Sequence, residues 1–124
     1  MINRGVSGLP KRARLQQSSE FNAVFEQNSF RINASEFLIL ARKNDFTFSR
    51  LGMIISKRTT PTSVKRNLFK RLTREAFRHS KLNEIPLDII VLGRPKANKM
   101  TKKELLKSLV VNFHRLNEQW ATQQ

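Results

Sequence analysis

The stretch KRNLFKRLTREAFR, from Lys65 to Arg78, constrains the fold more than any other part of the chain. It sets Lys65, Arg66, Lys70, Arg71, Arg74 and Arg78 against one acid, Glu75. Charge that dense repels itself unless something anionic neutralises it, yet leucine and phenylalanine recur through it at helical spacing. On a wheel turning about 100° per residue, with Val64 at zero, Leu68, Phe69, Leu72 and Ala76 fall between about 40° and 140°. Arg66, Asn67, Lys70, Arg71, Arg74 and Arg78 fall between about 200° and 340°. Val64, Leu68, Phe69, Leu72 and Ala76 are expected to hold the helix to a sheet, while the cationic arc faces an anion. A solvated helix face mixes signs for solubility; this one does not. Phe77 lies within the cationic arc, where it either packs on a neighbouring helix or stacks on a base, and packing is favoured.

Around this helix the periodicity changes several times. Residues 1–17 carry Arg4, Lys11, Arg12, Arg14, two glycines and Pro10, and read as a basic arm, partly disordered. Ser18 suits an N-cap, with Glu20 in the first turn, and Phe21, Val24 and Phe25 make a short amphipathic helix to about Gln27. Phe30, Ile32 and Ala34 then alternate with polar residues. Phe37 to Ala41 and Arg50 to Ser56 follow as two more strands, suggesting an antiparallel meander. Thr62 or Ser63 caps the basic helix, which runs to about His79. Leu87 to Leu92 lacks polar alternation and reads as an inner strand. Thr101 and Glu104 form a capping box ahead of Leu105, Leu109, Phe113, Leu116 and Trp120 at helical spacing. The order α-β-β-β-α-β-α predicts an α+β sandwich, with residues 18–122 forming one domain whose helices pack on a four-stranded sheet.

Composition narrows the partners. Net charge is +15 in 124 residues. Such an imbalance points to nucleic acid first and an anionic membrane surface second. No apolar run approaches the roughly 20 residues of a membrane span, and MINRGVSGLPKRARLQQ lacks the apolar core of a signal peptide. The absence of cysteine fits a reducing compartment, so a cytoplasmic location is expected. Metal-dependent hydrolysis needs converging carboxylates, but Asp45, Asp88 and the glutamates are scattered. His79 and His114 lie far apart without a ligand pattern. No phosphate-binding glycine loop is present. The polypeptide by itself is therefore not expected to be a catalyst or to hold a metal. From spacing alone Phe21 and Phe25 read as core, although aromatics beside basic residues also make stacking platforms. A structural RNA-binding protein of ribosomal type fits the same charge and size, whereas a DNA-binding helix lacks the preceding turn-plus-helix pair.

The stretch RNLFKRLTREAFR resembles the signature of the protein subunit of bacterial ribonuclease P. So do LPKRARL with SSEFNAVF upstream, SRLGMIISKR before the loop and LDIIVLGRP after the helix. The similarity runs in consistent order from about residue 9 to 116. It implies a partner, a large catalytic RNA, and a ribonucleoprotein that removes the 5′ leader from precursor tRNA without a further protein partner. It also implies that the active site and its Mg2+ belong mainly to the RNA. By position, Arg66, Asn67, Lys70, Arg71 and Arg74 would meet the catalytic RNA. The leader would lie in a cleft between the sheet and the first helix, where Phe21 and Phe25 match cleft aromatics and Lys57 and Arg58 a basic pair. The resemblance thus reverses the core reading of the two phenylalanines. It further implies a mixed sheet with a left-handed βαβ crossover, against the usual right-handed rule. Two positions depart from the family pattern: Leu68 stands where an arginine is usual, and Leu40 where some members carry a cleft aromatic.

Overall fold

The computed structural model describes residues 9–124. In chain order the elements are α1 (Ser18–Glu26), β1 (Phe30–Asn33), β2 (Phe37–Lys43), β3 (Arg50–Ile54), α2 (Ser63–Arg78), β4 (Leu87–Gly93) and α3 (Lys102–Thr122). Short 3₁₀ turns occupy Lys11–Ala13, Lys81–Glu84 and Pro95–Lys99. Three helices thus pack on a four-stranded sheet, as the element order predicts, and the sheet is mixed, as the resemblance implies.

The strands do not form the expected meander. Their order is β1-β2-β4-β3, so β4 inserts between β2 and β3. It runs antiparallel to β2 and parallel to β3, which makes β3-α2-β4 a crossover unit. Burial explains the insertion. Leu87 to Val91 is buried throughout, and such a strand needs covered faces and neighbours on both sides. β3 is only partly buried and sits outside it.

One face of the sheet carries the main core. Phe37, Ile39, Ala41, Leu51, Ile89 and Val91 meet α2 through Phe69, Leu72, Ala76 and Phe77, and α3 through Leu105, Leu109, Phe113 and Leu116. Phe77 and Phe113 meet edge to face with ring centroids 6.1 Å apart, an arrangement that adds to plain area burial. Phe77 therefore packs on α3, the favoured of its two readings, although its spacing sets it within the cationic arc. The buried arc of α2 nevertheless differs from the simple wheel. Val64 is 76% exposed, and Thr73 is buried instead, its hydroxyl donating to the Phe69 carbonyl at 2.7 Å. The wheel allows for one neighbour, the sheet; the second, α3, draws the arc round to Thr73 and Phe77. Leu68 is half-buried against the same core, so an apolar side chain fits its position.

On the opposite face α1 covers a smaller cluster of Leu15, Val24, Leu40 and Ile90. Here the expected boundary at residue 18 needs correction over the described part of the arm. Leu9 and Leu15 are buried, Arg14 bridges Leu51, and the Leu15 N–H donates to the Leu51 carbonyl at 3.0 Å. Two apolar side chains and a vacant edge on β3 suffice to dock residues 9–17. The rest of the predicted arm, residues 1–8, lies outside the described residues.

Both ends of the domain's central packing can be tested by unfolding in urea. Phe77→Ala should cost about 3–5 kcal/mol through the cavity it leaves beside Phe113. Val64→Ser, at an exposed position, should stay within about 0.5 kcal/mol of wild type.

Candidate nucleic-acid interface

Strand register divides the α1 side of the sheet into three rows. Arg42, Asp88 and Arg50 align as a charged row. Leu40, Ile90 and Gly52 form the next, and Leu38, Leu92 and Ile54 the third. The middle row is sealed: Leu40 and Ile90 lie under Val24, and Phe21 closes over Gly52. A Cβ at residue 52 would come within 2.6 Å of the Phe21 ring, so glycine is what allows the ring this close. The third row stays half-buried beside α1, an apolar strip that the helix does not seal. Phe21 is half-buried in that cluster, while Phe25 is 41% exposed. The pair thus divides between the two readings, with Phe21 mostly packing and Phe25 largely open. Leu40 is buried in the sealed row, one row away from the open strip.

The charged row anchors α1. Arg50 donates from Nε and Nη2 to the two carboxylate oxygens of buried Asp88, at 2.9 and 2.7 Å. Its Nη1 donates to Glu20 at 2.7 Å, and Asn44 donates to Asp88 at 2.9 Å. The hydrogen bonds to Asp88 raise the pKa of Arg50 above its ordinary value. Glu20 also accepts from the backbone N–H groups of Gln17 and Gln16. Those bonds hold its carboxyl below its ordinary value; burial opposes them and Arg50 adds to them. The helix therefore starts one residue earlier than expected, with Gln17 rather than Ser18 at the N-cap.

The cations of α2 have unequal surroundings. Arg66 donates from Nη1 to the carbonyls of Thr60 and Pro61, at 2.8 and 2.9 Å, and so braces the loop before its own helix. Asn67 and Arg71 are exposed; Lys70 and Arg74 are half-buried. Burial lowers the pKa of Arg74, and the charges of Arg14 and Arg71 lower it further. Arg14 thus joins this cationic cluster, a membership that sequence reasoning misses because the residues around it read as a loose arm. Its own guanidinium is fixed by the Leu9 carbonyl at 2.9 and 2.6 Å. Lys57 and Arg58 stand exposed on a turn held by Ser56, by Thr59 and, through the Thr59 carbonyl, by Asn98 at 2.6 Å. Among the described residues none of these cations other than Arg50 pairs with a carboxylate.

Among the described residues no three His, Cys, Asp or Glu side chains gather as metal ligands. The two histidines do approach one another in the fold, lining one shallow groove between α2 and α3. His114 faces Glu118 at 3.6 Å, and no hydrogen bond joins it to His79. No helix among the described residues is long and apolar enough to cross a membrane.

A family model described as Ribonuclease P matches residues 9–117, which takes in the docked segment, the sheet, α1, α2 and most of α3. The chain belongs to the ribonuclease P protein family. A ribonuclease P protein component from Marinomonas sp. (strain MWYL1) is 38% identical over 111 residues, covering 90% of this chain and 79% of the relative. The solved ribonuclease P protein of Staphylococcus aureus superposes with a TM-score of 0.74 at 27% identity, covering 84% of this chain and 96% of that one. For the Thermotoga maritima protein the TM-score is 0.64 at 28% identity, with 78% and 94% covered. Membership makes this chain a protein component of a ribonuclease complex, partnered with the ribonuclease P RNA in tRNA processing.

Within the ribonuclease P protein, the anchor of α1 should respond to pH. A carboxyl whose folded pKa is lowered contributes stability that is complete above its ordinary value of 4.5 and lost as pH falls through the folded value. Below pH 4.5 the melting temperature of wild type should therefore drop more steeply than that of Glu20→Gln. Asp88→Ala, which leaves Arg50 without its buried partner, should cost about 3–5 kcal/mol at neutral pH.

Proposed function

We propose that this protein binds the catalytic RNA through α2 and the 5′ leader of precursor tRNA through the cleft beside α1. The observation that carries the reading is the separation of two unlike surfaces. One is a cationic cluster in which burial and the neighbouring charges of Arg14 and Arg71 add to the cost of keeping Arg74 charged. Phosphate relieves that cost and releases counterions as it binds. The planar fork of arginine suits paired contacts with phosphate oxygens. Asn67, which both donates and accepts, suits a base edge or a ribose hydroxyl. The other surface is an open apolar row with the exposed Phe25 at its side, which suits a single strand whose bases are free to stack. Lys57 and Arg58, on their fixed turn, supply charge for that strand's phosphates.

In this reading the protein does no bond chemistry. Cleavage is assigned to the RNA, which is expected to hold most of the Mg2+ the complex uses. The polypeptide contributes affinity for the leader and screens phosphate repulsion as the complex assembles, in the cytoplasm.

The reading is tested with the cognate ribonuclease P RNA and a tRNA carrying a leader. Adding the protein should lower the salt or magnesium needed for cleavage, and unchanged cleavage would sink the proposal. Lys70→Ala should weaken assembly with the RNA and flatten its salt dependence by about 0.7–0.9 in log–log slope. Phe25→Ala should leave assembly alone but reduce the preference for precursor over mature tRNA by about 1–3 kcal/mol.

A further inference from the structure

A second cationic surface lies outside both regions. A groove of about 540 Å³ runs between the 3₁₀ turn Pro95–Lys99 and α3. Lys96, Lys99 and Lys107 line it, and Met100 and Val111 give it an apolar floor. Lys102 and Lys103 stand exposed beside it, so residues 96–107 carry five lysines against one acid, Glu104. That acid is engaged in capping: its carboxylate accepts from the Thr101 N–H at 2.8 Å. The nearby Glu36 accepts from the Ser108 hydroxyl at 2.7 Å. Burial pushes its pKa up, but that hydrogen bond, with others and Lys96, leaves it below its ordinary value. Lys96 donates to the Ser35 hydroxyl at 3.2 Å, and among the described residues none of the five lysines forms an ion pair.

Two further facts give the groove a partner. Lys102 and Lys103 occupy the first turn of α3, where the helix dipole disfavours cations and favours an anion. The groove is also continuous with α2. Lys65 donates from Nζ to the Asn98 carbonyl at 2.8 Å, and Lys65, Leu68 and Met100 line one small cavity. The turn that forms the groove's rim is therefore fastened to the start of the basic helix. Because α3 covers the face of the sheet opposite α1, the groove opens away from the cleft.

We infer that this lysine groove is a second contact for the phosphate backbone of the ribonuclease P RNA, extending the interface of α2 past Lys65. The inference rests on the proposed role of α2. Lysines reach successive phosphates, while Met100 and Val111 give the sugar and base faces somewhere dry to lie. The leader, bound on the opposite face of the sheet, does not enter it.

The test compares wild type with the triple variant Lys96→Gln, Lys99→Gln, Lys107→Gln and with Arg71→Gln. Binding to the cognate ribonuclease P RNA is measured across a potassium chloride series, together with the preference for precursor over mature tRNA. The triple variant is expected to lower the log–log salt slope by about 2, with that preference unchanged. If Arg71→Gln lowers the slope and the triple variant does not, the groove is not an RNA contact while the role of α2 stands. If neither changes it, both ideas fall. A changed preference with an unchanged slope would assign the groove to the substrate and overturn the inference. Independently of any loss of stability in the triple variant, an iron chelate tethered at Val111→Cys should cut the bound RNA locally, and absence of cuts also overturns it.

Discussion

Arg50 holds together parts of the chain that the backbone alone does not join. Its guanidinium meets Asp88 on the central strand and Glu20 on the first turn of α1, and Glu20 in turn binds the two N–H groups ahead of that helix. A part-buried charge is costly unless its partners are present, and here they come from two separate segments. The position of α1 over the middle row follows, and with it the width of the open row beside it. The cleft is therefore a by-product of an ion pair at the other end of the helix.

Much of this was legible in the sequence because each element carried its own period. The capping box of α3, the inner strand at Leu87 and the apolar face of α3 follow from local spacing. Pairing was harder, since nothing local to Arg50–Ile54 says whether it neighbours β2 or β4. Only competition for the most apolar strand decides it, and that is a property of the whole sheet. The docking of Leu9 and Leu15 was hidden by the glycines and arginines around them, which read as a loose arm. The role of Arg50 was invisible for a related reason: Asp88 and Glu20 lie far from it along the chain.

Positive charge is distributed with more order than its total suggests. On α2 it is confined to one side by the demands of two packing neighbours, the sheet and α3. Arg66 and Arg14 each spend part of their hydrogen-bonding capacity on nearby backbone carbonyls, and the charges of Arg14 and Arg71 both bear on Arg74. Leu68 shows the boundary between these uses. Half-buried beside Met100 and Ala97, it belongs to the wall between core and cationic surface, where an apolar residue packs well and a longer charged one would have to reach outward.

The open row of Leu38, Leu92 and Ile54 also bears on how the free protein behaves as a solute. Two copies could bury these rows against each other, as exposed apolar strips tend to do. A net charge of +15 opposes that encounter at ordinary ionic strength. The same arginines and lysines thus act as a colloidal guard, and the strip between α1 and the sheet edge stays uncovered in the free protein.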